Sequence, residues 1–219
     1  MPEIRLLIVD DDPLVRSALS HFVSRAPEIQ VIGEAEDGEQ AIAAVERDKP
    51  DVVMMDVQMP EMNGIEATTV IAARWPDVRI LAVTTLDGSD TVLPMLSAGA
   101  SGYLLKDSSA DAIVAGVREV YGGASSLSPR IASMLIRHVR DAEPSGAGRD
   151  APLEQLTERE SEVLGCLAQG MSNAEIARAL IVSEGTVKAH LGRIMSKWQV
   201  RDRVQILVAA AQAGLVEFR

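Results

Sequence analysis

The sequence has little cysteine and no long apolar run. Its 219 residues include one cysteine, Cys166, so the chain cannot form an internal disulfide bond. A lone thiol fits a reducing compartment, and we expect the protein to work in the cytoplasm. No run of about 18 or more apolar residues occurs, and the first residues do not resemble a signal peptide. We therefore predict neither a transmembrane helix nor a membrane partner.

Basic residues are also scarce, but only in the first part of the chain. The formal net charge is -11, and residues 1–124 hold 9 Lys and Arg against 21 Asp and Glu. Residues 153–219 hold 8 of each kind, and within residues 186–203 five basic residues stand against one acidic residue. Such a basic stripe fits contacts to nucleic-acid phosphates, although charged runs are also common on solvated helix faces.

The first 121 residues alternate short apolar runs with amphipathic stretches. The apolar runs are typical of strands that are buried on both faces of a parallel sheet. The predicted strands are Ile4–Val9, Gln30–Gly33, Val52–Met55, Val78–Val83 and Gly102–Leu105. The predicted helices between them span 13–25, 38–47, 64–74, 89–98 and 109–121. Five strand–helix repeats predict a doubly wound α/β fold with helices on both faces of the sheet.

The rest of the chain is predicted to be helical. A helix at 129–140 precedes residues 141–152, which are rich in Pro, Gly and Ala and are typical of a linker. We accordingly predict a first domain at 1–124, a helix and linker at 125–152, and a second domain at 153–219. The helices predicted in the second domain span 158–169, 173–180, 184–198 and 202–213. A short turn joins the second and third of these helices, as in a helix-turn-helix.

Acidic residues follow two of the predicted strands. Asp10 and Asp11 come after the first strand, and Asp56 comes after the third. The first and third strands of a doubly wound sheet are neighbours at the point where the strand order reverses, so these carboxylates would converge. Their mutual repulsion requires a cation, and Mg²⁺ suits a shallow site made of oxygen ligands. A carboxylate in such a site could accept a phosphoryl group.

Two more polar residues end the fourth and fifth predicted strands. The ammonium of Lys106 would spread the charge of a transferring phosphoryl group, and the hydroxyl of Thr84 would bond a phosphoryl oxygen. Taken singly, an Asp after a strand is more often a helix cap, and a Thr in a strand usually reflects β propensity. Polar residues at the carboxyl ends of four strands together favour phosphoryl chemistry.

These segments resemble the receiver domain of response regulators. Four segments within residues 3–121 carry the resemblance: Val9–Arg16, Met54–Gly64, Val83–Thr84 and Ala98–Lys106. The resemblance implies the strand order 2-1-3-4-5 and phosphorylation of Asp56. It implies that Mg²⁺ is bound by Asp10, Asp11, Asp56 and the backbone carbonyl of Gln58. It implies that Thr84 and Lys106 hold the phosphoryl group and that Tyr103 is an aromatic switch residue. The domain would catalyse only its own phosphoryl transfer and slow dephosphorylation.

Residues 154–216 resemble the LuxR-type helix-turn-helix of NarL/FixJ regulators. The matching motifs are Leu156-Thr-x-Arg-Glu160, Ser172-Asn-x-Glu-Ile-Ala177, Thr186-Val-Lys-x-His190 and Gly214-Leu215. The resemblance implies an all-α four-helix domain whose third helix enters the major groove of DNA. The implied DNA contacts are Ser183, Thr186, Lys188, Ala189, Gly192, Lys197 and Arg201. The implied dimerisation residues on the last helix are Val204, Leu207, Val208 and Ala211.

Together these features predict a two-component response regulator. A sensor histidine kinase would phosphorylate Asp56, and phosphorylation would control homodimerisation and binding to double-stranded DNA. Two alternatives stay open. The first domain could itself be a hydrolytic or phosphotransfer enzyme, but Asp56 lacks the second acid two residues later that a dehalogenase-type phosphatase has. The protein could instead bind DNA constitutively, and the complete set of polar residues at the strand ends argues against that.

Four local features add further predictions. Asp12 would cap the helix that begins at Pro13. Pro94 lies inside the fourth predicted helix. A cis peptide bond between Lys106 and Asp107 is not expected, because a cis bond before a non-proline residue costs about 2.5–4 kcal/mol. Trp198 would be a large core residue of the second domain.

Overall fold

The computed structural model describes residues 3–85, 89–123, 126–127 and 153–215, with the side chains of 89–90, 126–127 and 211–212 left out. The chain divides into two compact units, residues 1–131 and residues 132–219. The helix predicted at 129–140 and the linker predicted at 141–152 lie outside the described residues. Among the described helices, none combines the length and the apolar character that a membrane crossing requires.

The first unit is a parallel sheet with helices on both faces. Its strands are β1 Ile4–Val9, β2 Ile29–Ala35, β3 Val52–Met55, β4 Arg79–Thr84, β5 Gly102–Leu105 and β6 Ser126–Leu127. Its helices are α1 Pro13–Val23, α2 Gly38–Asp48, α3 Gly64–Arg74, α4 Ser89–Ser97 and α5 Ala110–Tyr121. The strand order β2-β1-β3-β4-β5-β6 confirms the predicted order of the first five strands and adds a sixth.

The sixth strand pairs in parallel with β5, Gly102 facing Ser126 and Tyr103 facing Leu127. Sequence patterns did not predict this strand, because two residues are too few to show an alternation of apolar and polar side chains. The chain that leaves the first unit therefore runs along the edge of the sheet before it continues towards the second unit.

The strands at the centre of the sheet are buried because both of their faces are covered. Every residue of β3 is buried, as are five of the six residues of β4. Strand β2 lies at an edge, where exposed residues interrupt its apolar pattern, and it is longer than predicted at both ends. On one face of the sheet, Leu6, Ile8 and Val83 pack with residues of α1 and α5 into one apolar core.

Helix starts follow the predicted capping chemistry. The side chain of Asp12 accepts a hydrogen bond of 2.8 Å from the Leu14 amide, which confirms Asp12 as the cap of α1. Asn63 and Glu66 form a capping box at the start of α3. Pro94 lies within α4 as predicted, and the described residues contain no cis peptide bond.

The second unit contains the four predicted helices. These are α6 Glu158–Ala168, α7 Asn173–Leu180, α8 Glu184–Trp198 and α9 Arg203–Gln212. Capping boxes begin α6 and α7, and Ser183 caps α8. Residues such as Val163, Ile176 and Ile194 fill the core, and Trp198 is buried there as predicted.

The turn of the helix-turn-helix has an unusual backbone. Ile181 ends α7 in the left-handed region, with φ of 54° and ψ of 51°. Its side chain is 92% exposed, so no packing around it offsets the crowding that a β-branched residue has at this backbone position. Arg159 of α6 hydrogen-bonds the carbonyl oxygen of the preceding residue, Leu180, at 2.9 Å.

Candidate acidic site and nucleic-acid interface

The acidic residues converge at the carboxyl edge of the sheet. The Asp10 amide donates to the carbonyl of Ala35 at 3.1 Å, and the Asp56 amide donates to the carbonyl of Val9 at 2.9 Å. These bonds continue the pairing beyond the strands, so that the loops leave the sheet side by side. Each of Asp10, Asp11 and Asp56 offers a carboxylate oxygen, and these oxygens lie within 4.8 Å of one another. Asp10 and Asp56 are buried, whereas Asp11 is exposed.

Lys106 reaches the same point from β5. Its amide donates to the carbonyl of Thr84 at 2.7 Å, which fixes the end of β5 beside the end of β4. The Lys106 ammonium lies 2.6 Å from Asp10 Oδ2 and 3.0 Å from Asp56 Oδ2. Burial raises the pKa of Asp56, and the hydrogen bond and charge of Lys106 offset this only in part. Burial also opposes the charged form of Lys106, but its hydrogen bonds to Asp10 and Asp56 prevail and raise its pKa.

The charges and atoms of this acidic site fit a divalent cation. Three carboxylates face one ammonium, which leaves a formal charge of -2 in a partly buried pocket. All the side-chain donors are oxygens, and the exposure of Asp11 leaves one side open for water and phosphate oxygens, as Mg²⁺ requires. Gln58 lies exposed two residues after Asp56, and the role of its carbonyl stays a prediction.

Thr84 and Tyr103 lie on the strands next to the acidic site. Thr84 ends β4 and is 1% exposed. Tyr103 is fully buried on β5, and its hydroxyl lies 3.3 Å from the Thr91 hydroxyl of α4. The structure thus brings Asp10, Asp11, Asp56 and Lys106 into contact distance, and it places Tyr103 between β5 and α4.

Two glycines near the acidic site were not predicted to matter. A β-carbon on Gly64 would lie 1.9 Å from the carbonyl oxygen of Asp56, and one on Gly38 would lie 2.6 Å from Met62 Cγ. The Gly64 amide also donates to the carbonyl of Val57 at 3.0 Å. The motif Met54–Gly64 contains the first of these glycines, but such close approaches arise from tertiary packing and carry no periodic signal.

The predicted DNA contacts at the start of α8 lie on the surface. The hydroxyl of Ser183 accepts from the Thr186 amide at 3.1 Å and lies 2.9 Å from the Thr186 hydroxyl. Lys188 and Ala189 are exposed, and a β-carbon on Gly192 would meet no atom within 4 Å. This face of α8 is therefore smooth, and it carries one cation near its start.

Two predicted phosphate contacts are turned into the domain instead. The Lys197 ammonium lies 2.8 Å from Glu160 Oε2 and 3.2 Å from the carbonyl oxygen of Gln155. The hydrogen bond from Lys197, helped by that from the Thr157 amide, lowers the pKa of Glu160 to about 2. The Arg201 side chain is only 14% exposed and its Nε lies 3.7 Å from Asp202 Oδ2. These contacts contradict the prediction for Lys197 and Arg201, whereas Arg193 is exposed.

The predicted dimerisation residues of α9 are only partly available. Val204 is fully buried in the single chain, which contradicts its assignment as a dimer contact. Leu207 packs against the core of the second unit, and Val208 is half-buried. The side chain of Ala211 lies outside the described residues. A monomer core that needs both sides of α9 explains why the apolar spacing misled the prediction.

Comparison with known families decides the class of protein. The response regulator receiver domain model matches residues 6–118, and the model of bacterial regulatory proteins of the luxR family matches residues 154–210. The chain is a response regulator of the LuxR-type class. This confirms the predicted family, and such a two-component response regulator regulates transcription through its DNA-binding domain.

Relatives of this response regulator match it over its whole length. It is 41% identical to the transcriptional regulatory protein LnrK of Bacillus subtilis (strain 168), over 98% of this chain and 100% of the relative. It is 39% identical to the transcriptional regulatory protein DegU of Brevibacillus brevis, over 99% of this chain and 97% of the relative.

Solved structures give the same result. The response regulator ChrA of a heme-sensing two-component system is 35% identical, with a TM-score of 0.54, over 99% of this chain and 100% of that one. A LuxR-family response regulator from Aurantimonas sp. SI85-9A1 is also 35% identical, with a TM-score of 0.60, over 64% of this chain and 99% of that one. The first match spans both units of the response regulator.

Proposed function

We propose that Asp56 accepts a phosphoryl group from a sensor histidine kinase or a small acyl phosphate, and that this modification controls dimerisation and DNA binding. The observation that carries the proposal is the Lys106 ammonium, which contacts both Asp10 and Asp56 at the carboxyl edge of the sheet. A buried carboxylate with a fixed cation beside it and an open side is suited to phosphoryl transfer.

The transfer itself needs few groups. A carboxylate oxygen of Asp56 attacks the phosphorus atom, the bond from phosphorus to the donor breaks, and the donor leaves with the electron pair of that bond. The product is an aspartyl phosphate. Lys106 then exchanges its contact with the Asp56 carboxylate for one with a phosphoryl oxygen, and the Thr84 hydroxyl donates to another. The same pocket would support slow hydrolysis, so the domain acts on itself and on no other substrate.

The acidic residues would hold the metal that this chemistry uses. Asp10, Asp11, Asp56 and the carbonyl of Gln58 would bind Mg²⁺, with Asp10 bound mainly through water. When bound, Mg²⁺ supplies positive charge that stabilises the phosphoryl oxygens during transfer. The net charge of the three carboxylates and Lys106 supports this assignment.

Tyr103 would carry the signal away from Asp56. Movement of Thr84 towards the phosphoryl group changes the end of β4, which is paired with β5. Tyr103 lies on β5 and faces Thr91 of α4, so the surface formed by α4, β5 and α5 would shift with it. A ligand changes such an equilibrium only as far as it binds one state more tightly, and the covalent phosphoryl group fills that role here.

The helical domain would read DNA through the first half of α8. Lys188 and Ala189 would face base edges beside Gly192, and Ser183 and Thr186 lie at the helix start, where backbone amides favour a phosphate. With Lys197 and Arg201 directed inward, each domain has few phosphate contacts. Modest affinity of one domain would make binding depend on a dimer, with half-sites about 10 bp apart.

The proposal is tested on the full chain. After treatment with acetyl phosphate and Mg²⁺, intact mass spectrometry should show the gain of one phosphoryl group, and Asp56→Asn should show none. Sedimentation and DNA-binding assays on the same samples should show more dimer and tighter binding only when the wild-type chain is modified. Absence of the mass gain would overturn the proposal. A mass gain without any change in assembly or DNA affinity would favour constitutive DNA binding instead.

A further inference from the structure

Arg16 lies close to the acidic site without forming part of its surface. It occupies the first turn of α1, where its amide donates to the carbonyl of Asp12 at 3.1 Å. Side chains on a helix point towards its N-terminus, and this direction carries the guanidinium back to the loop that holds Asp10 and Asp11. Only 15% of the Arg16 side chain is exposed, although arginine is usually a surface residue.

The guanidinium bonds the backbone of the acidic pair. Nη1 donates to the carbonyl oxygen of Asp10 at 2.7 Å and lies 3.4 Å from that of Asp11. Nε donates to Glu34 Oε2 at 3.2 Å. Glu34 lies on β2 opposite Ile8 of β1, so one carboxylate at the sheet edge orients the planar fork. Arg16 thus links the end of β2 to the loop after β1.

The Asp11 side chain depends on this loop more than its neighbours do. The carboxylate of Asp10 contacts Lys106, and that of Asp56 contacts both Lys106 and the Val57 amide. Among the residues that the structure describes, no hydrogen bond or ion pair restrains the carboxylate of Asp11. Its direction is therefore set by the backbone of residues 10–12, which Arg16 holds through two carbonyls.

We propose that Arg16 is a positioning residue for the acidic site, and that it directs the Asp11 carboxylate towards the point shared with Asp10 and Asp56. The inference rests on the proposed binding of Mg²⁺ by these residues. Groups that orient metal ligands without touching the metal commonly change affinity about 10–100-fold when they are removed.

The sign of the effect separates positioning from charge. Removal of a cation near a metal site should strengthen binding of Mg²⁺ if Coulomb forces alone act. Loss of positioning should weaken it. Arg16→Ala should therefore raise the Kd for Mg²⁺ about tenfold, against the electrostatic expectation. Arg16→Lys keeps the charge but lacks the planar fork that bonds Glu34 and the carbonyls together, so it should also weaken binding.

Arg5 provides a matched control. Its two Nη atoms donate to the carbonyls of Lys49 at 3.0 Å and Asp48 at 2.6 Å, at the start of β1 rather than at its end. Arg5→Ala removes the same charge and the same kind of bond away from the acidic site. It should leave the Kd for Mg²⁺ within about twofold of the wild-type value, because it is far outside the ligand shell.

The experiment titrates the full-length chain with Mg²⁺ by calorimetry and then measures phosphorylation by acetyl phosphate over a range of Mg²⁺ concentrations. In Arg16→Ala, half-maximal phosphorylation should require about tenfold more Mg²⁺, with the rate at saturation largely kept. Glu34→Gln, which retains Arg16, should show a smaller shift in the same direction. Circular dichroism checks that each variant is folded.

Two results would overturn the inference: an unchanged or lower Kd in Arg16→Ala and Arg16→Lys, or an equal loss of affinity in Arg5→Ala. The wild-type samples test the proposed function separately. A wild-type chain that binds Mg²⁺ but gains no phosphoryl group would overturn phosphorylation at Asp56 and leave the positioning result standing.

Discussion

Gly64 limits the acidic site by the side chain that it does not have. In Gly64→Ala the new β-carbon would collide with the carbonyl of Asp56 at 1.9 Å, and backbone atoms on both sides would have to move. We expect a loss of about 1–3 kcal/mol in the free energy of unfolding, as for other overpacked sites. Phosphorylation should slow as well, because the displaced loop carries Asp56.

Urea unfolding of the full chain measures the loss, and Gly165→Ala is its control. A β-carbon at Gly165 meets no atom within 4 Å, and the residue lies within α6. That variant should be more stable by up to about 1 kcal/mol, since alanine favours helix over glycine. Equal effects of the two substitutions would contradict the crowding at Gly64.

Ile181 is a residue whose replacement should stabilise the protein. It adopts φ of 54° with 92% of its side chain exposed, so it suffers the crowding of the left-handed region without a packing gain. Ile181→Asn should raise the stability of the helical domain by about 1 kcal/mol. Ile181→Val keeps the β-branched side chain and should change little. Thermal unfolding followed by Trp198 fluorescence in a Trp75→Phe background compares the two, and a destabilised asparagine variant would refute the strain.

At the scale of elements, the contact between α6 and α8 should govern the acid stability of the helical domain. Glu160 has a pKa of about 2 in the folded chain against 4.5 for an unperturbed group. A carboxyl group whose pKa is lowered by folding stabilises the fold above its unfolded pKa, and the contribution is lost as the pH falls. The domain should therefore lose this stabilisation between pH 4.5 and about pH 2.

Glu160→Gln should remove this pH dependence. Near neutral pH we expect the variant to be less stable by about 1–3 kcal/mol, below the ~3–5 kcal/mol of a fully buried pair, because part of Lys197 is exposed. Its stability should then change less than that of the wild-type chain as the pH is lowered. Urea unfolding at several pH values, read from Trp198, measures the difference. Parallel curves for the two proteins would show that Glu160 is not the group responsible.

The elements also show what the sequence could and could not predict. Helix starts were predictable because capping is local: Asp12, Thr157, Ser172 and Ser183 bond the amides that their spacing indicates. The carboxyl ends of the strands were predictable because parallel strands end at one edge. The Gly64 contact and the Arg16 bonds were not, since they depend on how a loop returns to the sheet.

Helical periodicity could have corrected one error. Lys197 follows Lys188 by nine residues, which at about 100° per residue places the two lysines on opposite sides of α8. The predicted set of DNA contacts included both of them. A count of basic residues alone gives no weight to direction, whereas the buried Glu160 on α6 required a cation on the inner side of α8.

For the whole molecule, the separation of charge between the two domains implies a measurable salt dependence of DNA binding. Lys188→Ala should weaken binding and reduce the slope of log affinity against log salt by about 0.9 per lost phosphate contact on each domain, or leave the slope unchanged if Lys188 reads a base. Lys197→Met should leave both slope and affinity nearly unchanged in protein that stays folded. Fluorescence anisotropy with labelled operator DNA at several salt concentrations distinguishes these outcomes, and a reduced slope in Lys197→Met would restore it as a phosphate contact.

The short strand β6 has a practical consequence for any attempt to isolate the first domain. Strand β5 would otherwise be the bare margin of the sheet, with backbone groups open to a strand of another molecule. A fragment that stops at residue 123 exposes this margin and should aggregate as its concentration rises, whereas one that continues to residue 131 keeps it covered. Light scattering of the two fragments tests this expectation. The natural guard against mispairing is thus the first stretch of chain on the way to the DNA-binding domain.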